Sequence, residues 1–163
     1  MELVVDAIHD TKDLLRLLFS LQTLRRVLSL GDSTTIESVM TQYGDRLGIR
    51  LVSLLRHGIN LLPELPVELL WSLVNLTSIK GHEMTKTMVQ SGLVKITTSL
   101  VGSPDIQITE LSLTLLANLA DEPDARHQIC ALEQFESNDL KLTEKIKRIF
   151  EGTLQPYSLE AQT

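Results

Sequence analysis

A tryptophan and an asparagine four residues apart, Trp71 and Asn75, are the side chains in this sequence best suited to holding another molecule. On a helix, that spacing puts both on one face. An exposed indole offers a flat surface on which a lysine stem can lie with its ammonium near the ring. The asparagine amide carries both a donor and an acceptor, so it suits the backbone of an extended peptide. The competing reading is that Trp71, the sole tryptophan, belongs to the core of an apolar helix. Either way the pair implies contact with another chain or with the core, and no bond making.

Other chemistry is sparse. His9, His57, His82 and His127 are dispersed, and no two stand at metal-ligand spacing. His127 and Cys130 are three apart on one helical face, but two ligands do not make a zinc site. A single cysteine excludes an internal disulfide, and its setting, His-Gln-Ile-Cys-Ala-Leu, predicts a small buried thiol. No Gly-x-Ser-x-Gly elbow, phosphate loop or His-Glu-x-x-His occurs. Glu122 and Asp124 sit at a helix start, where negative charge favours the helix dipole without any catalytic role. Asn75-Leu-Thr77 matches a glycosylation sequon, which on a helix and without a signal peptide reads as chance. The expectation is a chain that is not an enzyme, with no catalytic residue, metal or cofactor.

The elements that must position Trp71 and Asn75 are helices. The 163 residues are 43% hydrophobic but only 4% aromatic, and leucine dominates the apolar strings, as in Leu69-Leu70-Trp71. A leucine-rich, aromatic-poor interior suits helix-on-helix packing better than a β-sandwich. The length suffices for one domain with a real core. A formal charge of −6 lacks the basic face that nucleic acid requires, and it is compatible with a basic protein or peptide partner. No apolar run approaches the ~18 residues needed to cross a bilayer. The N-terminus lacks the basic start of a signal peptide, so a soluble intracellular protein is expected.

From Val67, the apolar positions Leu69, Leu70, Leu73, Val74 and Leu76 recur at helical spacing, and from Ile106 the pattern returns as Ile108, Leu111, Leu115, Leu116 and Leu119. Pro66 and Pro104 open these segments, where a missing N–H is tolerated, and Ser103 predicts an N-cap. Glu122-Pro123-Asp124 repeats the start signal. Thr34 to Glu37 predicts a capping box for a short helix, followed by another over Arg46 to Arg56 and its counterpart over Leu93 to Val101. Nothing alternates with period two for long enough to propose a strand.

The sequence also repeats itself. Trp71-Ser-Leu-Val-Asn75-Leu-Thr matches Thr114-Leu-Leu-Ala-Asn118-Leu-Ala, with the asparagines 43 residues apart, and Thr23-Leu-Arg-Arg-Val27-Leu-Ser is a worn copy 48 residues upstream of the first. A period of about 40 to 47 residues with two or three helices is that of armadillo and HEAT repeats, whose units must stack to bury their apolar faces. The expected fold is therefore all-α, a right-handed armadillo/HEAT-like α-α superhelix of about three to four repeats over residues 1–152. Candidate units are 1–32, 33–79, 80–121 and 122–152. The amphipathic segment Ser137 to Gly152 would cap the stack, and a tail over 153–163 would fray.

At Trp71-Ser-Leu-Val-Asn75 and Thr85-Lys86-Thr-Met-Val-Gln-Ser-Gly92-Leu-Val, the sequence resembles importin-α, the armadillo adaptor of nuclear import. The likeness takes in Leu24-Arg-Arg-Val-Leu-Ser, Ile36-Glu-Ser-Val-Met, Gly102-Ser-Pro-Asp and Leu116-Ala-Asn118-Leu-Ala-Asp121, roughly residues 10 to 135. In that family a ladder of Trp/Asn pairs lines a concave groove that holds basic nuclear-localisation peptides. The resemblance implies that Trp71, Asn75, Thr85 and Asn118 are groove positions. It places Glu122, or its neighbour Asp121, where an acidic residue receives the cargo lysine. It also implies protein transport between cytoplasm and nucleus.

The departures are specific. Thr114 stands where the family has tryptophan, and around Glu144 to Arg148 both ladder residues are gone, with Arg148 opposing a basic cargo. The family's basic N-terminal segment has no counterpart, so importin-β is not expected as a partner. The chain reads as a fragment or a diverged short relative. Two functions stay open: an adaptor for Lys/Arg-rich peptides, and a structural armadillo scaffold that has lost peptide binding.

Overall fold

A computed structural model describes residues 1–58, 60–79, 83–135 and 141–151, with the side chains of residues 134 and 135 outside the description. Among these residues the chain is all-α and repeat-like, and contains no strand. The helices are α1 (Glu2–Asp10), α2 (Leu14–Leu30), α3 (Ser33–His57), α4 (Leu65–Leu76), α5 (Glu83–Gln90), α6 (Leu93–Leu100), α7 (Ile106–Leu119), α8 (Pro123–Phe135) and α9 (Leu142–Phe150). The expected tail over 153–163 lies outside the described residues, as does His82.

Local chemistry sets where the helices begin. Asp13 caps α2 by accepting from Leu15 N and Arg16 N. Asp105, and not the expected Ser103, caps α7: its carboxylate accepts from Gln107 N at 2.8 Å and from Ile108 N at 3.4 Å. Ser103 supports the loop instead, its hydroxyl accepting from Asp105 N at 3.2 Å. At α3 the cap is likewise Asp32, two residues before the predicted Thr34. A carboxylate reaches the orphan amides of the first turn with a full charge where a hydroxyl brings none. Pro66 lies in the first turn of α4, as its missing N–H allows.

The short helix from Thr34 and the helix over Arg46 to Arg56 join end to end as α3, bent at Gly44, whose φ of 40° and ψ of −137° are not helical. Only glycine adopts that conformation without strain. The bend lets one continuous segment serve as two packing elements.

Helix α2 packs on α4 and α4 on α7, forming a row of helices one repeat apart. Around this row, α1 lies on α2 and α3, α3 on α4 and α5, α6 on α7 and α8, and α9 on α8. Helix α4 is the centre of the stack. Leu69, Leu70, Leu73 and Leu76 are wholly buried there, and Pro66, Glu68, Ser72 and Val74 are buried as well. On α7, Leu111, Leu115, Leu116 and Leu119 are buried, following the predicted face. Removing apolar area of this kind from water contributes about 25 cal/mol per Å², so the row holds itself together by its leucines.

Cys130 departs from expectation. It is exposed on α8, which lies near the end of the stack with fewer helices to cover it. Among the described residues no helix is long and apolar enough to cross a membrane.

Candidate peptide-binding surface

The α2–α4–α7 row ends its three helices at Leu30, Leu76 and Leu119. Counting back from these ends, the penultimate residues are Ser29, Asn75 and Asn118, and four residues earlier stand Arg25, Trp71 and Thr114. The upstream repeat is thus in register two residues later than the match through Thr23 suggested. Its rung is Arg25/Ser29.

Trp71 is half-buried: part of its ring packs on the core, and part lines a groove of about 440 Å³. Around the groove stand Arg25 of α2, Pro63 and Glu64 from the loop before α4, Val67 and Glu68 of α4, and Asp105 and Gln107 at the start of α7. Three carboxylates, Glu64, Glu68 and Asp105, face one guanidinium, so the groove is net negative. Glu68 is buried, and its Oε2 accepts from Arg25 Nε at 2.6 Å. With side-chain exposures of 31% for Arg25 and 11% for Glu68, water screens this pair only in part. Asp105 combines its place in the groove with the cap of α7.

The two asparagines bind neighbouring helices. Asn75 Nδ2 donates to Ser29 Oγ at 3.1 Å, across the α2–α4 contact. Asn118 Nδ2 donates to the Val74 carbonyl at 3.1 Å and to Thr77 Oγ1 at 3.2 Å, across the α4–α7 contact. Each amide therefore ties its helix to the one before it.

The other residues implied by the resemblance lie apart from Trp71. Thr85 is buried on α5, a helix that packs chiefly on α3, and its Oγ1 has no hydrogen-bond partner among the described residues. Glu122 is 8% exposed between α7 and α8. On α5 the Lys86 ammonium donates to Glu83 Oε2 at 3.1 Å. The Glu83 hydrogen bond and charge, then the charges of Glu122 and Asp124, hold Lys86 above the ordinary lysine range. The charge of Glu122 thus already acts on a lysine of the chain itself. Asp121 is exposed, and its main-chain oxygen accepts from Arg126 Nη1 at 3.0 Å.

Trp71, Asn75 and Asn118 are therefore brought together on one row, while Thr85 and Glu122 are not. The groove acids were missed. Glu64, Glu68, Trp71 and Asn75 run at spacings of four, three and four, one face of a helix, and that pattern would have found the first two. Asp105 approaches only through the packing of α7 on α4. Among the described residues no group of three or more histidine, cysteine or carboxylate side chains could hold a metal.

No family model matches the chain, and no curated protein does. Its fold is similar to the crystal structure of an engineered protein, with a TM-score of 0.61 and 22% identity over 91% of this chain and 61% of that one. The chain thus spans less than two thirds of that protein's length, and at such identity the likeness shows the fold alone: an all-α stack of helices.

Proposed function

We propose that this chain is a non-catalytic adaptor that holds an extended basic peptide along the α2–α4–α7 row, in the manner of importin-α in nuclear import. One observation carries the reading: the half-buried indole of Trp71 lines a groove that also holds Glu64, Glu68 and Asp105. A flat aromatic face beside three carboxylates attracts a cation twice over, through the ring quadrupole and through charge. The ligand class is a Lys/Arg-rich segment, and the place of action is cytoplasm and nucleus. A fluorescently labelled basic localisation peptide, titrated by anisotropy against the protein and its Trp71→Ala variant, tests this. Binding that the substitution weakens supports the adaptor. No binding up to high micromolar concentration, or indifference to the substitution, removes it.

The asparagine bonds favour a second reading. Asn75 and Asn118 donate to Ser29 and to Val74 and Thr77, so the amides serve the stack. On that reading the chain is a structural scaffold for protein assembly, and its Trp71→Ala variant binds basic peptides no differently from the parent.

A further inference from the structure

We propose that Arg25 is a resident competitor in the Trp71 groove, and that the groove selects an arginine side chain over a lysine. This rests on the peptide-binding reading above and names the group recognised and what holds it back. Arg25 stands in the rung of α2 that corresponds to Trp71 of α4, and it lines the same groove as the indole. Its guanidinium donates through Nε to Glu68 Oε2 at 2.6 Å. The chain thus supplies from within a cation of the class the groove attracts.

The resident contact shows what the groove accommodates. It is made through Nε–H, an edge donor that lysine lacks. Glu68 is only 11% exposed on its side chain, so a cation that reaches it gives up much of its water. A guanidinium is weakly hydrated and flat, and it can stack on an indole while its edge meets a carboxylate. An ammonium is compact and strongly hydrated, and loses more on entry. An entering arginine therefore exchanges with Arg25, taking over Glu68 while Arg25 swings to solvent. Its apparent affinity is the intrinsic one multiplied by the fraction of molecules in which Arg25 is out.

The test uses two labelled peptides that are identical except for one arginine or lysine in an otherwise neutral sequence. They are titrated against the full chain by anisotropy and by the fluorescence of Trp71, the single tryptophan. Arg25→Gln should bind the arginine peptide roughly fivefold to tenfold more tightly than the parent, with a smaller gain for the lysine peptide. Arg26→Gln removes the same charge from an exposed neighbour outside the groove and should change both affinities less than about twofold. Should Arg25→Gln lose its helical circular dichroism, Arg25→Lys takes its place, with a gain of roughly twofold to threefold for the arginine peptide. Unchanged or weaker binding by the folded Arg25 variant, an equal gain from Arg26→Gln, or a lysine preference overturns the inference while leaving peptide binding standing. No binding of either peptide by the parent or any variant overturns the inference, and no binding of the basic localisation peptide as well overturns both.

Discussion

Asn118 of α7 donates from Nδ2 to the main-chain carbonyl of Val74, 3.1 Å away in the last turn of α4. Carbonyls in that turn have no partner within their own helix. Thr77 Oγ1 donates to the same carbonyl at 3.2 Å and accepts from Asn118 Nδ2 at 3.2 Å, so the side chain of one repeat helps to finish the helix of the repeat before it. Asn118→Ala removes the donor and leaves the part-buried carbonyl less well satisfied. It should cost about 1–2 kcal/mol in urea unfolding at neutral pH. The equivalent Asn75→Ala breaks an exposed bond to Ser29 and should cost less than about 1 kcal/mol. Equal losses would show that position in the stack, and not burial of the bond, sets its worth.

Two glycines of α3 respond differently when a methyl group is added. At Gly44 a Cβ would meet nothing within 4 Å, so the whole cost of Gly44→Ala lies in the φ of 40°. That cost should be about 1–3 kcal/mol. At Gly48 the backbone is helical, but a Cβ would come 2.9 Å from Met88 Cγ and 3.2 Å from Met84 Cε. Alanine there gains about 1 kcal/mol of helix propensity against the strain of moving two methionines, so Gly48→Ala should be near neutral. Gly48→Val, with no such gain and more bulk, should cost about 2–3 kcal/mol. Thermal melts of the three variants check the order.

The stack was largely legible because its signals are local. Leucines at helical spacing over Leu69 to Leu76 and over Leu111 to Leu119 faced the core as read, and the 43-residue step from Asn75 to Asn118 reported the repeat. The site was less so. Thr85 and Glu122 were placed by likeness, and only packing decides that α5 turns toward α3 and that Glu122 is buried. The two-residue shift in the first repeat had no local mark, since Thr23-Leu-Arg-Arg and Arg25-Arg-Val-Leu fit one helix equally well. Cys130 lay in an apolar string, but a string does not tell how many neighbours the end of a stack provides.

The cap of α3 makes part of the stability depend on pH. Asp32 Oδ1 accepts from Thr34 Oγ1 at 2.7 Å, Thr35 N at 2.8 Å and Thr35 Oγ1 at 2.9 Å. These bonds, with that of Thr34 foremost, lower its carboxyl from 3.8 to about 2. Because the folded value lies below the unfolded one, the contribution is complete above 3.8 and disappears as pH falls toward 2. The midpoint difference between the parent and Asp32→Ala in urea should therefore be constant near neutrality and shrink across that window. Asp32→Asn keeps an acceptor but no titrating group, so its own midpoint should lack this component of acid sensitivity. A parent–alanine difference that persists unchanged down to pH 2 would disconnect the cap from the acid response.

The Arg25–Glu68 pair predicts a stability effect distinct from its effect on binding. Removing Arg25 alone leaves a carboxylate of 11% exposure without its guanidinium, whereas removing both charges leaves two neutral amides. In a double-mutant cycle, Arg25→Gln and Glu68→Gln should each cost about 1–2 kcal/mol, and the double variant less than their sum by about 1 kcal/mol. Added salt should lower the coupling only modestly, because Glu68 is largely shielded from the ionic atmosphere. Coupling near zero would mean that the 2.6 Å contact holds neither helix. Helices α2 and α4 would then rest on their leucines alone, with Arg25 free to leave the groove without loss of fold.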